Sequence, residues 1–211
     1  MTISNGYTDL STFKAYMGIT VSTYDAQLES AVNAASRLID GYCQRRFWLD
    51  SQVGTQTFVP QSLLELEIDD DIGSTSGFIL RTDASGDGTF ETTWSASDYQ
   101  LTPVNAAHAS PEAKPWTGIR AVGTKTFPWL VNTWLTRLDR VQITALWGWP
   151  AVPADVSQAC LIKASRLFRR KDSPEGIAGY GDFGPVRLSR SEDPDVVALL
   201  APYRKSPVLV A

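Results

Sequence analysis

RVQITALWGWPAVPADVSQACLIKASRLFRRK, residues Arg140–Lys171, decides how this chain is read. Val141–Leu146 is rich in branched and large apolar residues, the composition of a β-strand. Trp147-Gly-Trp149-Pro then breaks the pattern as a turn. Pro153 can occupy a first helical turn, and Asp155 sits where the helix dipole favours a negative charge. Val156, Ala159, Cys160, Ala164, Leu167 and Phe168 recur at helical spacing as one apolar arc. Lys163, Arg166, Arg169 and Arg170 are expected on the complementary side. A strand, an aromatic turn and a cationic helix carry no catalytic motif, so the stretch reads as an assembly element.

Upstream, Asp9 or Thr8 can cap a helix over Leu10–Met17, and Gly18 can end it in the left-handed conformation. Ser22 is expected to open a longer helix, with Asp25 as its capping-box partner. Leu28, Val32, Ala35, Ile39 and Tyr42 form its apolar stripe, and the helix closes near Cys43. From Phe47 to Trp149 the pattern changes to β. Thr57–Val59, Leu64–Ile68, Phe78–Thr82, Phe90–Trp94, Tyr99–Thr102 and Ile119–Val122 are short apolar or aromatic runs between turn signals. His108–Gly118 is Pro-rich and aperiodic, a surface loop. A last helix is expected from Asp193, with Pro194 in its first position. Helices, a β block and helices again make an α+β chain. Its divisions are an N-terminal helical part (1–46), an inserted antiparallel β-rich domain (47–149) and a C-terminal helical part (150–211).

A chain of 211 residues with 43% hydrophobic and 20% charged residues is ordinary for a globular protein with its own core. No apolar run approaches the roughly 20 residues of a membrane span, and MTISNGYTDL lacks the pattern of a secretion signal. Cytoplasmic synthesis is expected. Two cysteines, Cys43 and Cys160, both on apolar helical faces, make no disulfide framework. Residues 1–105 carry 5 Lys/Arg and 14 Asp/Glu (net −9), and residues 106–211 carry 14 and 9 (net +5). Such asymmetry can pair within one subunit. It can also join subunits head to tail, which closes into rings when the rotation allows.

Asp83-Ala-Ser-Gly-Asp-Gly-Thr-Phe-Glu91 is the most tempting motif. Asp83, Ser85 and Asp87, with Gly88 sixth, match the opening of a calcium loop. Its twelfth position is Trp94 rather than a bidentate Glu, and strands rather than helices flank it, so a hairpin is the stronger reading. The run Glu65, Glu67, Asp69, Asp70, Asp71 reads as a solvated strand face or an acidic contact for a basic neighbour. One histidine, His108, and the absence of any serine elbow, phosphate loop or dinucleotide fingerprint argue against an enzyme. No cofactor is implied. Gly176–Gly184 reads as a partner-ordered loop. Seven tryptophans is a high count: some must fill the core, and an excess of large amphipathic rings also suits contact between subunits.

Taken in order, YTDLSTFKAYMGI, LESAVNAASRLIDGYCQRRF, VQITALWGW and VPADVSQACLIKASRLFRRKDSPEGIAGYG resemble the head-to-tail connector (adaptor) proteins of long-tailed double-stranded DNA phages. The resemblance covers residues 7–48 and 140–204. It implies a structural virion protein forming a ring, usually of twelve copies, in the head–tail neck. Its implied partners are other copies of itself, the portal, the next neck, stopper or tail protein, and DNA passing without sequence specificity. No membrane is implied. The contacts it implies are Lys163, Arg166, Arg169 and Arg170 on the cationic helix and Gly176, Tyr180 and Phe183 in the glycine segment; among the tryptophans, Trp147 and Trp149 are the candidate contacts. Another neck, tail-completion or minor capsid protein, or a β module binding calcium or glycan, is the alternative.

Overall fold

The computed structural model describes residues 2–109, 112–129, 138–170, 177–181, 184–187 and 193–205. The fold is α+β, as expected, and the chain forms two compact units, Met1–Arg46 with Val152–Ala211, and Phe47–Ala151.

The first unit is helical. α1 (Leu10–Met17) starts at Asp9, whose carboxylate accepts the Thr12 amide at 2.8 Å, and stops at Gly18, where φ is +68°. α2 (Asp25–Cys43) begins later than expected. Ser22 does not cap it; its carbonyl accepts the Asp25 amide in a preceding turn (3.1 Å). The Asp25 carboxylate is engaged with Lys14 Nζ at 2.6 Å instead of folding back on the helix start. Leu28, Val32, Ala35, Ile39 and Cys43 are fully buried along one stripe. Each of the larger ones stabilises by roughly 1.5–3 kcal/mol. α3 (Ala154–Arg169) packs on α2, and α4 (Pro194–Leu200), capped by Asp193, packs on α3.

The segment before α1 is clasped onto the helices. The Ser36 hydroxyl accepts the Tyr7 amide, Ser157 donates to the Tyr7 carbonyl (2.8 Å), and Arg37 Nη2 reaches the Asn5 carbonyl (2.9 Å). Tyr7 donates its hydroxyl to Asp40, which also accepts Arg37 Nε at 2.8 Å. Burial raises the Asp40 carboxyl above its ordinary range against the pull of Tyr7 and Arg37. Both cysteines are buried free thiols. Burial pushes Cys43 up to about 11 and raises Cys160 as well, which removes the thiolate needed for reactivity. The glycine segment, expected as a loop, carries β7 (Ile177–Gly181), which pairs antiparallel with β8 (Gly184–Arg187).

The second unit is one antiparallel sheet in the order β1-β6-β2-β5-β4, with β3 on the end of β2. The strands are β1 (Gly54–Phe58), β2 (Glu65–Thr82), β3 (Thr92–Thr93), β4 (Tyr99–Thr102), β5 (Trp116–Ala121) and β6 (Val141–Trp147). β5 begins inside the segment expected to be a loop. β2 spans 18 residues where two separate strands were expected. Its first part pairs with β5 (Glu65↔Arg120), its last with β6 (Ile79↔Thr144 to Thr82↔Val141), and Ile72 faces both Trp116 and Trp147. Register shifts at this changeover let one strand serve two neighbours. β6 alternates strictly: Val141, Ile143, Ala145 and Trp147 point into the core, Gln142, Thr144 and Leu146 away from it. The core also takes in Phe58, Leu66, Ile68, Ile72, Leu80, Trp94, Ile119 and Phe127.

The two ends of this unit meet. Leu49 bridges Gly148, and the Asp50 amide donates to the Trp147 carbonyl at 2.9 Å. Gly148 sits at φ +109°, and a Cβ there would collide with the Trp48 carbonyl oxygen.

Candidate assembly surfaces

α3 starts from Pro153, which is extended (φ −61°, ψ 147°) and offers no side-chain cap; Pro153 is therefore the N-cap, one residue before the first turn. Its buried stripe is Val156, Ala159, Cys160, Leu161, Lys163, Ala164 and Ser165. Lys163 thus does not lie on the solvent side. It follows Ala159 by four and Cys160 by three, which turns its stem into the apolar stripe, and only 8% of the residue is exposed. Arg166 is also committed. Its Nη1 donates to Asp193 Oδ2 at 2.9 Å, and Asp193 Oδ1 caps α4 by accepting the Asp195 amide at 3.0 Å. That half-exposed pair is worth a fraction of a kcal/mol, but it fixes the start of α4 against the end of α3. Arg169 and Arg170 remain exposed.

The same end of the bundle carries large apolar side chains that sequence reasoning passed over. Tyr24, at the start of α2, meets Phe168, near the end of α3, edge to face at 6.1 Å. The Lys14–Asp25 pair closes the corner between α1 and α2, and Tyr16, Val21 and Tyr24 are 47%, 52% and 39% exposed around it. The signal available was an apolar pair, Ile19 and Val21, in a connection between helices that otherwise offers turn residues.

The aromatic contacts expected at Trp147 and Trp149 are corrected by burial: 1% and 3% of each is exposed. Trp147 fills the core face of β6, packs on Phe58 at 5.7 Å and donates Nε1 to the Gly54 carbonyl at 2.8 Å. Trp149 packs on Phe47 at 5.2 Å and donates to Asp71 Oδ2 at 3.2 Å. Neither presents a surface to a neighbour. In the glycine segment, Gly176 and Phe183 lie outside the described residues, and Tyr180 lies on β7.

The Asp83–Glu91 stretch joins β2 to β3 as a hairpin loop. Asp83 is fully buried and accepts the Gly86 amide, the Gly88 amide (2.7 Å) and the Ser85 hydroxyl (3.0 Å). Burial pushes its carboxyl up, but the Gly88 and Gly86 amides, Ser85 and Arg140 outweigh this and hold it below the ordinary range. Asp87 accepts the Thr89 amide at 2.7 Å. With Asp83 occupied by three donors, Asp83, Ser85 and Asp87 serve the turn. Among the described residues, no group of three or more His, Cys, Asp or Glu is placed to hold a metal ion.

The acidic run divides by strand alternation. Glu65, Glu67 and Asp69 are exposed; Asp70 accepts Gln56 Nε2 at 3.1 Å; Asp71 is buried beside Trp149. Arg120 lies across from Glu65, with 3.6 Å between Nη1 and Oε1. Leu63 and Leu64, 48% and 45% exposed, precede this face, and the Leu64 carbonyl accepts the Ala121 amide, which brings Val122 (41% exposed) alongside.

Among the described residues, no helix is long and apolar enough to cross a membrane. No protein-family model and no curated protein matches this chain. Solved structures similar to it over its whole length include two neck chains. One is a chain in the neck of an empty gene transfer agent (GTA) particle computed with C6 symmetry, 20% identical, TM-score 0.57, covering 100% of this chain and 96% of that one. The other is a chain in the neck of a native GTA particle computed with C12 symmetry, 19% identical, TM-score 0.55, with the same coverage. At these identities the likeness is one of fold, and it takes in the helical unit and the sheet together.

Proposed function

We propose that this chain is a structural protein of the neck of a phage-like particle, a head-to-tail connector whose copies form a ring below the portal. The observation that carries the reading is the end-to-end likeness in fold to neck chains, sheet unit included. The helical unit is the bundle of the connector, and the sheet unit is an insertion within it. Twelve copies are proposed, in keeping with the C12 symmetry used for the native particle neck. The ring extends the channel for DNA and receives the next neck, stopper or tail protein. Its contribution is shape and contact: the described polar clusters, Asp83 and the Tyr7–Arg37–Asp40 clasp, are spent on internal hydrogen bonds.

The test is the position of the chain in mature particles. Antibody labelling or cryo-electron microscopy should place it at the head–tail junction. Deletion of its gene should leave filled heads and separate tails. Finding the chain only at the tail tip, or only among non-structural proteins, overturns the proposal.

A further inference from the structure

Two exposed surfaces, one on each compact unit, match in chemistry. On the helical unit, Arg169 and Arg170 end α3 beside Phe168, which meets Tyr24 at the corner where Tyr16 and Val21 are exposed. That surface is apolar and cationic. On the sheet unit, Leu63, Leu64 and Val122 are exposed beside the outward Glu65, Glu67 and Asp69. Arg120 pairs with Glu65 there, and the balance of the surface is apolar and anionic. The units differ in the same sense: Phe47–Ala151 carries 6 Lys/Arg against 12 Asp/Glu (net −6), while Met1–Arg46 with Val152–Ala211 carries 13 against 11 (net +2).

We infer that the α3 end of one copy, Arg169–Arg170 with Tyr16, Val21 and Tyr24, docks on the Leu63–Asp69 face of the next copy. The inference rests on the ring reading above and names the contact that builds the ring. Charge complementarity selects the occupant: a surface of this kind takes an acidic, partly apolar partner, and the chain itself supplies one. Two different patches joined head to tail make a heterologous contact, the type that closes into a ring when the rotation allows. The exposed side chains Leu63, Leu64, Val21 and Tyr16 supply area, and the charges fix the register and speed encounter. Lys163 and Arg166 take no part, because one is buried and the other holds Asp193.

A charge swap between copies tests this. Three full-length chains are compared: wild type, Arg169→Glu with Arg170→Glu, and Glu67→Lys with Asp69→Lys. Association is followed by sedimentation velocity and negative-stain microscopy at about 50 mM and about 500 mM salt, where screening shortens the reach of surface charges severalfold. Wild type should associate, more weakly at the higher salt. Each variant alone should associate at least about tenfold more weakly while keeping the wild-type thermal midpoint. An equal mixture of the two variants should associate like wild type, because each then meets its complement in alternation. Should Asp69→Lys disturb folding, Glu67→Lys alone serves as the second arm.

Wild type that stays monomeric at both salts, variants that associate normally, or a mixture that fails to recover would each overturn the pairing. Failure here is separable from failure of the neck reading. A chain found at the neck whose swap does not recover loses the pairing alone. A chain missing from the neck whose swap does recover loses the neck reading alone.

Discussion

Replacing Trp147 with Phe should destabilise the chain by about 3 kcal/mol without touching its self-association. Trp147 is 1% exposed, so the part of the indole lost to a phenyl ring is buried surface. About 40 Å² of it, at about 25 cal/mol per Å², is worth about 1 kcal/mol. The space left behind, roughly 40 Å³ if Phe58 and the β6 neighbours do not collapse into it, adds about 1 kcal/mol. The Gly54 carbonyl loses its 2.8 Å donor. That loss costs about 1 kcal/mol more, and it falls on one of the bonds between the edge strand β1 and β6. Urea unfolding of the full-length variant, followed by far-ultraviolet circular dichroism, should show the midpoint lowered by about 2 M, taking an m-value of about 1.5 kcal/mol/M. Sedimentation in the absence of urea should match wild type. An unchanged midpoint with lost association would refute the reasoning, because it would mean that the ring serves a neighbouring copy and not the core.

Four further outcomes are expected. Gly148→Ala should cost more than about 3 kcal/mol, measured as a fall in thermal midpoint, since it combines a left-handed φ with a collision against the Trp48 carbonyl. Asp9→Ala should cost about 1 kcal/mol as a lost N-cap. The Ser11 hydroxyl, with the Thr12 amide and hydroxyl, lowers the Asp9 carboxyl from 3.8 to about 2, so its contribution is complete above pH 3.8 and disappears as pH falls through about 2. The difference between variant and wild type should therefore vanish in that window. Asp83→Ala, which abandons the Gly86 and Gly88 amides, should cost about 3 kcal/mol by urea titration. Wild type should keep its thermal midpoint on adding about 1 mM calcium, a concentration that fills even weak calcium loops. A calcium-dependent rise abolished by Asp87→Ala would reverse that reading.

What the sequence revealed depended on how local the governing interaction was. α1 was legible from end to end, because Asp9 and Gly18 act within a turn of the residues they cap. The start of α2 was not, because Asp25 is taken by Lys14, eleven residues away. The middle of β2, Asp69–Gly77, carries three acids, two glycines and serines, and nothing local marks it as strand. Its pairing comes from β5 and β6, far along the chain, and tertiary pairing overrides weak propensity. Two misplaced contact residues had signals that composition obscured. The alternation Val141, Ile143, Ala145, Trp147 already puts Trp147 on the core face. The spacing from Ala159 and Cys160 already puts Lys163 on the apolar side of α3. A high tryptophan count and a run of basic residues drew attention outward, while period and register pointed in. The exposed Tyr16 and Val21 were hidden for the opposite reason: an apolar residue in a connection looks like any other until its neighbours are known.

The Leu49–Gly148 bridge bears on the order in which the chain folds. α2 and α3 pack together although residues 44–153 separate them. Closing a free loop of that length costs about 4 kcal/mol of chain entropy on the (3/2)RT ln n scale. The sheet unit is contiguous in sequence, so its core can form from contacts within residues 47–151 without α3. Once it has folded, its bridged ends leave about a dozen residues to close, at about 2 kcal/mol on the same scale. A folded sheet thus shortens the loop that the helices before and after it in sequence have to close.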